Sequence, residues 1–179
     1  MSVDETSLAN LVAKDEIRDL VLLYSRAVDR KDVALLRDLY TADATDTHGD
    51  SFDGGAADYC NFIEKSLPYM RYSGHHVCNH LIAVDGDTGE GEVYAMAWHV
   101  IPDGKGGWAE DFMCVRYIDH YRRDGGKWRF AKRVVTYDMR TQRPFEGHVD
   151  MPADPTDNPW GDTSYATLAN RLFTKGERA

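Results

Sequence analysis

Three histidines stand within six positions in "SGHHVCNHLIAVDGD", residues 73–87. Imidazole is the side chain whose proton leaves near neutral pH, so one set against a buried hydroxyl can both give and take a proton. Strand alternation predicts His76, Cys78 and His80 on one face and His75, Val77 and Asn79 on the other. One histidine at the start of the strand then looks inward, and His75 is the candidate base. As metal ligands the pair His76 and His80 is poorly spaced, since four residues of strand separate them by ~13 Å.

Asp29, in "YSRAVDRKD", follows a helical apolar stripe at its C-terminal end, where a carboxylate meets the negative end of the helix dipole and asks for a partner. A solvated turn aspartate is the alternative reading. Tyr24 lies on the stripe itself, and a buried phenol needs a hydrogen-bond partner that either the core or a pocket supplies. His99, ending "YAMAWHV", reads as a second pocket group or a strand-end residue, and His48, in "ATDTHGD", as a substrate contact or a loop residue. Arg116 and Arg133 sit inside apolar strands, so each requires a carboxylate or binds an anionic or phenolic group. Trp98, with Tyr94, Met96, Phe112 and Tyr117, offers a surface for a flat aromatic or polycyclic alcohol.

These groups need a frame. Ile17, Leu20, Val21 and Tyr24 fall at helical spacing; Leu35, Leu36, Leu39 and Tyr40 repeat the pattern after "DRKD", with Asp32 as N-cap; "GGAADYCNFIEKSL" fits a third helix with Tyr59, Cys60, Ile63 and Leu67 on one side. Beyond Gly74, "VCNHLIAV", "EGEVYAMAWHVI", "DFMCVRYIDHYR" and "KWRFAKRVVTYDM" read as four strands separated by Gly-containing turns, an antiparallel meander. The pattern predicts an α+β fold: a cone of three N-terminal helices packed on a curved antiparallel sheet over residues 1–140. A Pro-rich extension, 141–179, then packs on the domain or a partner subunit, with a short helix near 163–173.

A formal charge of −9 removes the footprint expected of a nucleic-acid or anionic-membrane partner. No apolar run is long enough to span a bilayer, and the first residues are acidic where a signal peptide is basic. Cys60, Cys78 and Cys114, odd in number and far apart, suit reduced thiols in the cytoplasm. No phosphate-loop, dinucleotide, zincin or nucleophile-elbow motif is present.

"DEIRDLVLLYSRAVDRKDVALLRDLYTADAT", "GHHVCNHLIAVDGDTG" and "RYIDHYRRDGGKWRFAKRVVTYD" resemble the SnoaL-like branch of the nuclear transport factor 2 (cystatin-like) superfamily over about residues 10–140. Its dehydratases include scytalone dehydratase and bile acid 7α-dehydratase. The resemblance implies catalytic Tyr24, Asp29 and His75, with a second histidine at or next to His99 and an arginine at Arg133 or Arg140. Val28 departs from it, standing where scytalone dehydratase carries a tyrosine. By this likeness Asp29 fixes the tautomer of His75, the other ring nitrogen removes a proton, and Tyr24 or His99 protonates a departing hydroxyl, without cofactor or metal. Three functions compete on these grounds: a lyase or isomerase acting on a hydrophobic hydroxylated substrate, a non-catalytic binding module, and a structural small subunit of a ring-hydroxylating dioxygenase. A homodimer or larger homo-oligomer is expected, since sheets of this kind expose an outer apolar face, and a stable homodimer alone counts against the third function.

Overall fold

In the computed structural model, which describes residues 4–149, the chain runs α1 (Glu5–Asp29), α2 (Val33–Asp38), β1 (Tyr40–His48), β2 (Phe52–Gly55), α3 (Ala56–Ser66), β3 (Tyr72–Asp85), β4 (Thr88–Pro102), β5 (Trp108–Asp124) and β6 (Lys127–Pro144). The Asp4 side chain caps α1 by accepting the Ser7 N–H at 2.8 Å. Ile17, Leu20, Val21 and Tyr24 are all buried, and each aliphatic member contributes about 1.5–3 kcal/mol of hydrophobic burial.

The stop of α1 is sharply defined. Lys31 adopts φ 59°, its N–H reaches the Val28 carbonyl, and the Asp32 N–H reaches the Ala27 carbonyl at 2.8 Å. This crossed pair is a Schellman closure with lysine at the left-handed position that glycine usually fills, at a cost of order 1 kcal/mol. Asp32 then starts α2 by accepting the Leu35 N–H at 3.0 Å. Asp29, the last helical residue, is thereby held at a fixed height over the sheet.

The strands form one sheet of order β2-β1-β6-β5-β4-β3, in which β1 runs parallel to β6 and every other neighbouring pair is antiparallel. Strands β3 to β6 are the expected meander, and Gly86, Gly125 and Gly126 take the positive φ that two of its turns require. The mixed edge was not expected. "YTADATDTH" lacks the β-branched apolar residues that mark strands, yet pairing with β6 gives its backbone hydrogen bonds, while Ala44 and Asp46 face inward. Strand β6 also continues four residues past the expected boundary at 140. The helices cover one sheet face, where Val93, Ala95, Val115, Tyr117, Phe130 and Val135 meet α1 and α3 in the core. The helix expected near 163–173 lies outside the described residues.

Alternation along β3 breaks at a bulge. Val77 pairs with Ala95 and His80 with Val93, so Cys78 and Asn79 together oppose Tyr94. The extra residue shifts the phase, and His80 joins His75 and Val77 on the inner side while His76 and Cys78 remain exposed. The expected grouping of His80 with His76 is therefore corrected. His80 is occupied in the core, its Nε2 lying 3.2 Å from the Tyr121 hydroxyl, which in turn donates to Asp119 at 3.0 Å.

Candidate active site

Asp29 reaches across from the end of α1 to the first inward residues of β3. Its Oδ2 accepts the His75 backbone N–H at 2.9 Å, and its Oδ1 accepts both the Ser73 hydroxyl at 2.9 Å and His75 Nδ1–H at 2.6 Å. Burial alone raises this carboxyl, but the hydrogen bonds and charge of His75, with the Ser73 hydroxyl, outweigh it and hold Asp29 below the ordinary carboxylate range. The ionised carboxylate accepts only, so Nδ1 carries hydrogen and Nε2 is the free nitrogen of His75.

His75 lines a cavity of about 210 Å³ between the helices and the sheet, together with Tyr24, His48, Tyr59, His99 and Arg140. Its apolar walls are Val28, Phe62, Ile63, Leu67, Met70 and Ile101. Larger hollows of about 490 and 300 Å³ open elsewhere on the surface. The first contains one imidazole–carboxylate contact, His120 to Glu90 at 3.7 Å, and it is solvent-exposed; the second has no histidine.

His99 sets its ring 5.2 Å from that of His75, edge to face, and its buried Nε2 has no hydrogen-bond partner among the described residues. Burial, aided by neighbouring His75, pushes His99 down to about 3. Burial thus disfavours the imidazolium form of His99. The same depression makes a pH prediction. Below its ordinary 6.5 the unfolded imidazole binds a proton that folded His99 refuses until about 3, so stability falls as pH drops through that window. His80, held down to about 4 by burial, acts in the same direction. Urea midpoints measured at about pH 7 and about pH 5 should separate less for His99→Gln than for the parent, and an equal separation would count against this account.

At a second part of the cavity, the Tyr24 and Tyr59 hydroxyls lie 2.7 Å apart and 3.2 and 3.1 Å from His48 Nε2. His48 stacks on Tyr59 with 4.5 Å between ring centroids. Its Nδ1 bonds to Asp46, a fully buried carboxylate that also accepts the Tyr40 hydroxyl at 2.6 Å. Of the two readings the sequence offers for His48, substrate contact or loop residue, its place is at the end of β1 in the cavity wall, where it gains this second carboxylate. Asp46 and Tyr59 were missed, although Asp46 stands two residues before His48 and so shares its strand face.

Three expected substrate contacts lie elsewhere. Trp98 neighbours inward His99 on β4 and so points to the opposite face, where it meets Phe112. Arg116, also outward, is held by Asp138 and Glu92. Arg133 is wholly buried beneath the cavity: Asp119 takes it through two bonds of 2.8 and 2.7 Å, and Tyr24, Tyr117 and Phe130 surround its guanidinium at 4.1 to 4.3 Å. The strand arginine that does reach the cavity is Arg140, clamped on buried Asp111 at 2.8 and 2.6 Å.

A family model described as "SnoaL-like domain" matches residues 9–134. Among solved structures the chain is similar to a candidate scytalone dehydratase from Novosphingobium aromaticivorans, at 20% identity and TM-score 0.66 over 80% of this chain and 94% of that one. It is also similar to the hexachlorocyclohexane dehydrochlorinase LinA-type3 from Novosphingobium barchaimii, at 22% identity and TM-score 0.63 over 79% and 96%. An NTF2-like protein with a cystatin-like fold from Novosphingobium aromaticivorans aligns at 19% identity and TM-score 0.57 over 77% and 92%. These likenesses show a shared NTF2-like, cystatin-like fold. A search of curated proteins finds no match.

Proposed function

We propose, from the premise that the chain belongs to the SnoaL-like domain family, that its cavity houses a cofactor-independent lyase or isomerase driven by acid/base chemistry. The observation that carries this reading is the double grip of Asp29 on His75, which fixes the ring by its Nδ1 and turns the free nitrogen to the cavity. His75 removes an acidic C–H or O–H proton, and the Tyr24 hydroxyl protonates the departing oxygen. Apolar walls exclude water and strengthen both contacts.

The substrate is a small hydrophobic alcohol. A cavity of about 210 Å³ falls below the usual ligand-site range of roughly 300–1,000 Å³, which favours a hydroxylated aromatic compound over a polycyclic one. With a phenolic ring, loss of a benzylic hydroxyl gives a quinone methide, an electron sink. Removal of an O–H proton from a neighbouring carbinol then breaks a carbon–carbon bond and releases a small carbonyl compound.

The test is a panel of phenolic benzylic and polycyclic alcohols, with ultraviolet detection of the new conjugated double bond and trapping of released carbonyl. Conjugated product from the phenolic members is expected. Tight binding across the panel without product would favour the non-catalytic module instead.

No helix among the described residues is long and apolar enough to cross a membrane. Cys60, Cys78 and Cys114 are unpaired, which supports the reducing cytoplasm as the site of action. The partner for the outer sheet face, by this reading, is a second copy: Tyr94, Met96, Trp98, Ile118 and Met139 each leave more than a third of their surface exposed on three adjacent strands. Trp98→Glu should convert a dimer to monomer in sedimentation velocity with activity per folded chain reduced little; a parent that sediments as monomer would remove the dimer.

A further inference from the structure

The cavity is flanked by two carboxylate–imidazole pairs, and the reading above uses one. Asp29–His75 joins the end of α1 to β3, at one edge of the sheet, and Asp46–His48 stands on β1, next to the other edge. The second pair contacts the tyrosine cluster, since His48 Nε2 is within 3.2 Å of both hydroxyls. Tyr24 alone is a reluctant acid: burial pushes its phenol well above the ordinary range, although Arg133 acts against the rise.

We propose that Asp46 and His48 form a proton-relay pair that supplies, through the Tyr24 and Tyr59 hydroxyls, the proton taken by the departing oxygen. The inference deepens the elimination reading and rests on it. His48 enters the step as an imidazolium with the Asp46 carboxylate as counter-ion. The electron pair of the breaking C–O bond goes to the oxygen; that oxygen takes a tyrosine proton, and the tyrosine oxygen takes the Nε2 proton of His48. The oxygen leaves as water, and His48 remains neutral with its Nδ1–H on Asp46. The substrate proton meanwhile rests on His75 and passes to solvent, from which His48 recovers one.

The geometry suits this transfer. Asp46 is fully buried and tied by Tyr40, so its carboxylate is fixed, and the stacking of His48 on Tyr59 orients the ring. Both tyrosines belong to helices and His48 to the sheet, so the cluster spans the cavity's two walls. Such a network that served only to pin β1 to the helices would affect all substrates alike.

The test compares a para-hydroxyphenyl carbinol bearing a β-hydrogen with its acetate ester, whose leaving group departs without protonation. His48→Gln and Asp46→Asn should slow the carbinol by at least about 10²-fold, and by at least about tenfold more than the ester, whereas Asp29→Asn should slow both comparably. Equal losses on the two substrates in the His48 and Asp46 variants, or none on the carbinol, would overturn the relay. Should the parent turn over neither substrate, the elimination reading fails separately, and nitrogen-15 NMR of the His48 ring decides the relay. Hydrogen on Nδ1, with an Nε2 resonance that moves in Tyr59→Phe, supports it. A ring protonated at Nε2 alone, or an Nε2 resonance unmoved in that variant, refutes it.

Discussion

His75→Ala should abolish most turnover, lowering kcat by roughly 10²–10⁴-fold, the usual worth of a positioned general base, with little change in far-ultraviolet circular dichroism. Alanine removes the free nitrogen that faces the cavity but keeps the backbone N–H that Asp29 Oδ2 accepts at 2.9 Å, so the join between α1 and β3 survives. Asp29→Asn should fall in the same range for a different reason. The amide keeps the shape and one acceptor, yet loses the charge that stabilises an imidazolium and no longer enforces hydrogen on Nδ1. Steady-state kinetics on whichever panel alcohol the parent converts would check both, and a variant of either kind with parental kcat would end the acid/base reading.

The second large effect is on stability. Arg133 and Asp119 are both fully buried and bound through two hydrogen bonds, and the guanidinium has aromatic rings about it. Removing one partner leaves the other charged and without water, so Asp119→Ala or Arg133→Met should each cost about 3–5 kcal/mol in urea unfolding. For a domain stable by about 5–15 kcal/mol that is a large fraction. The double variant Asp119→Leu with Arg133→Met should lose much less than the sum, because no orphaned charge remains. Single variants with unchanged urea midpoints would show that the pair contributes nothing.

How far these features were legible in the sequence depended on whether local rules governed them. Apolar spacing named the buried stripe of α1, and the same stripe identified the end where Asp29 stands; glycine-bearing turns delimited the meander that carries His75 and His99. Strand parity, applied fully, already separates Trp98 from His99 and Arg116 from inward Val115 and Tyr117, because adjacent strand residues face opposite ways. Arg133 is different. Its inward orientation follows from parity, but only the tertiary fold shows that Asp119 and three rings engage its guanidinium. Strand β1 was hidden because its threonines and aspartates are strand-forming only in the company of β6 and β2, and with it was hidden the contact of Asp46 with His48. Arg140 and Asp111 pair through side chains from strands 29 positions apart, a distance no short motif spans.

The bulge at Cys78 and Asn79 gives β3 one residue more than β4 needs. Shortening the chain there by one would leave His80, Ile82 and Val84 facing as they do now, since regular alternation from His75 and Val77 would then reach them without interruption. What would vanish is the local bend between the half of the strand that meets Asp29 and the half that packs under α1. Chain length at that single spot thus sets the local bend of β3, and neither Cys78 nor Asn79 lines the cavity.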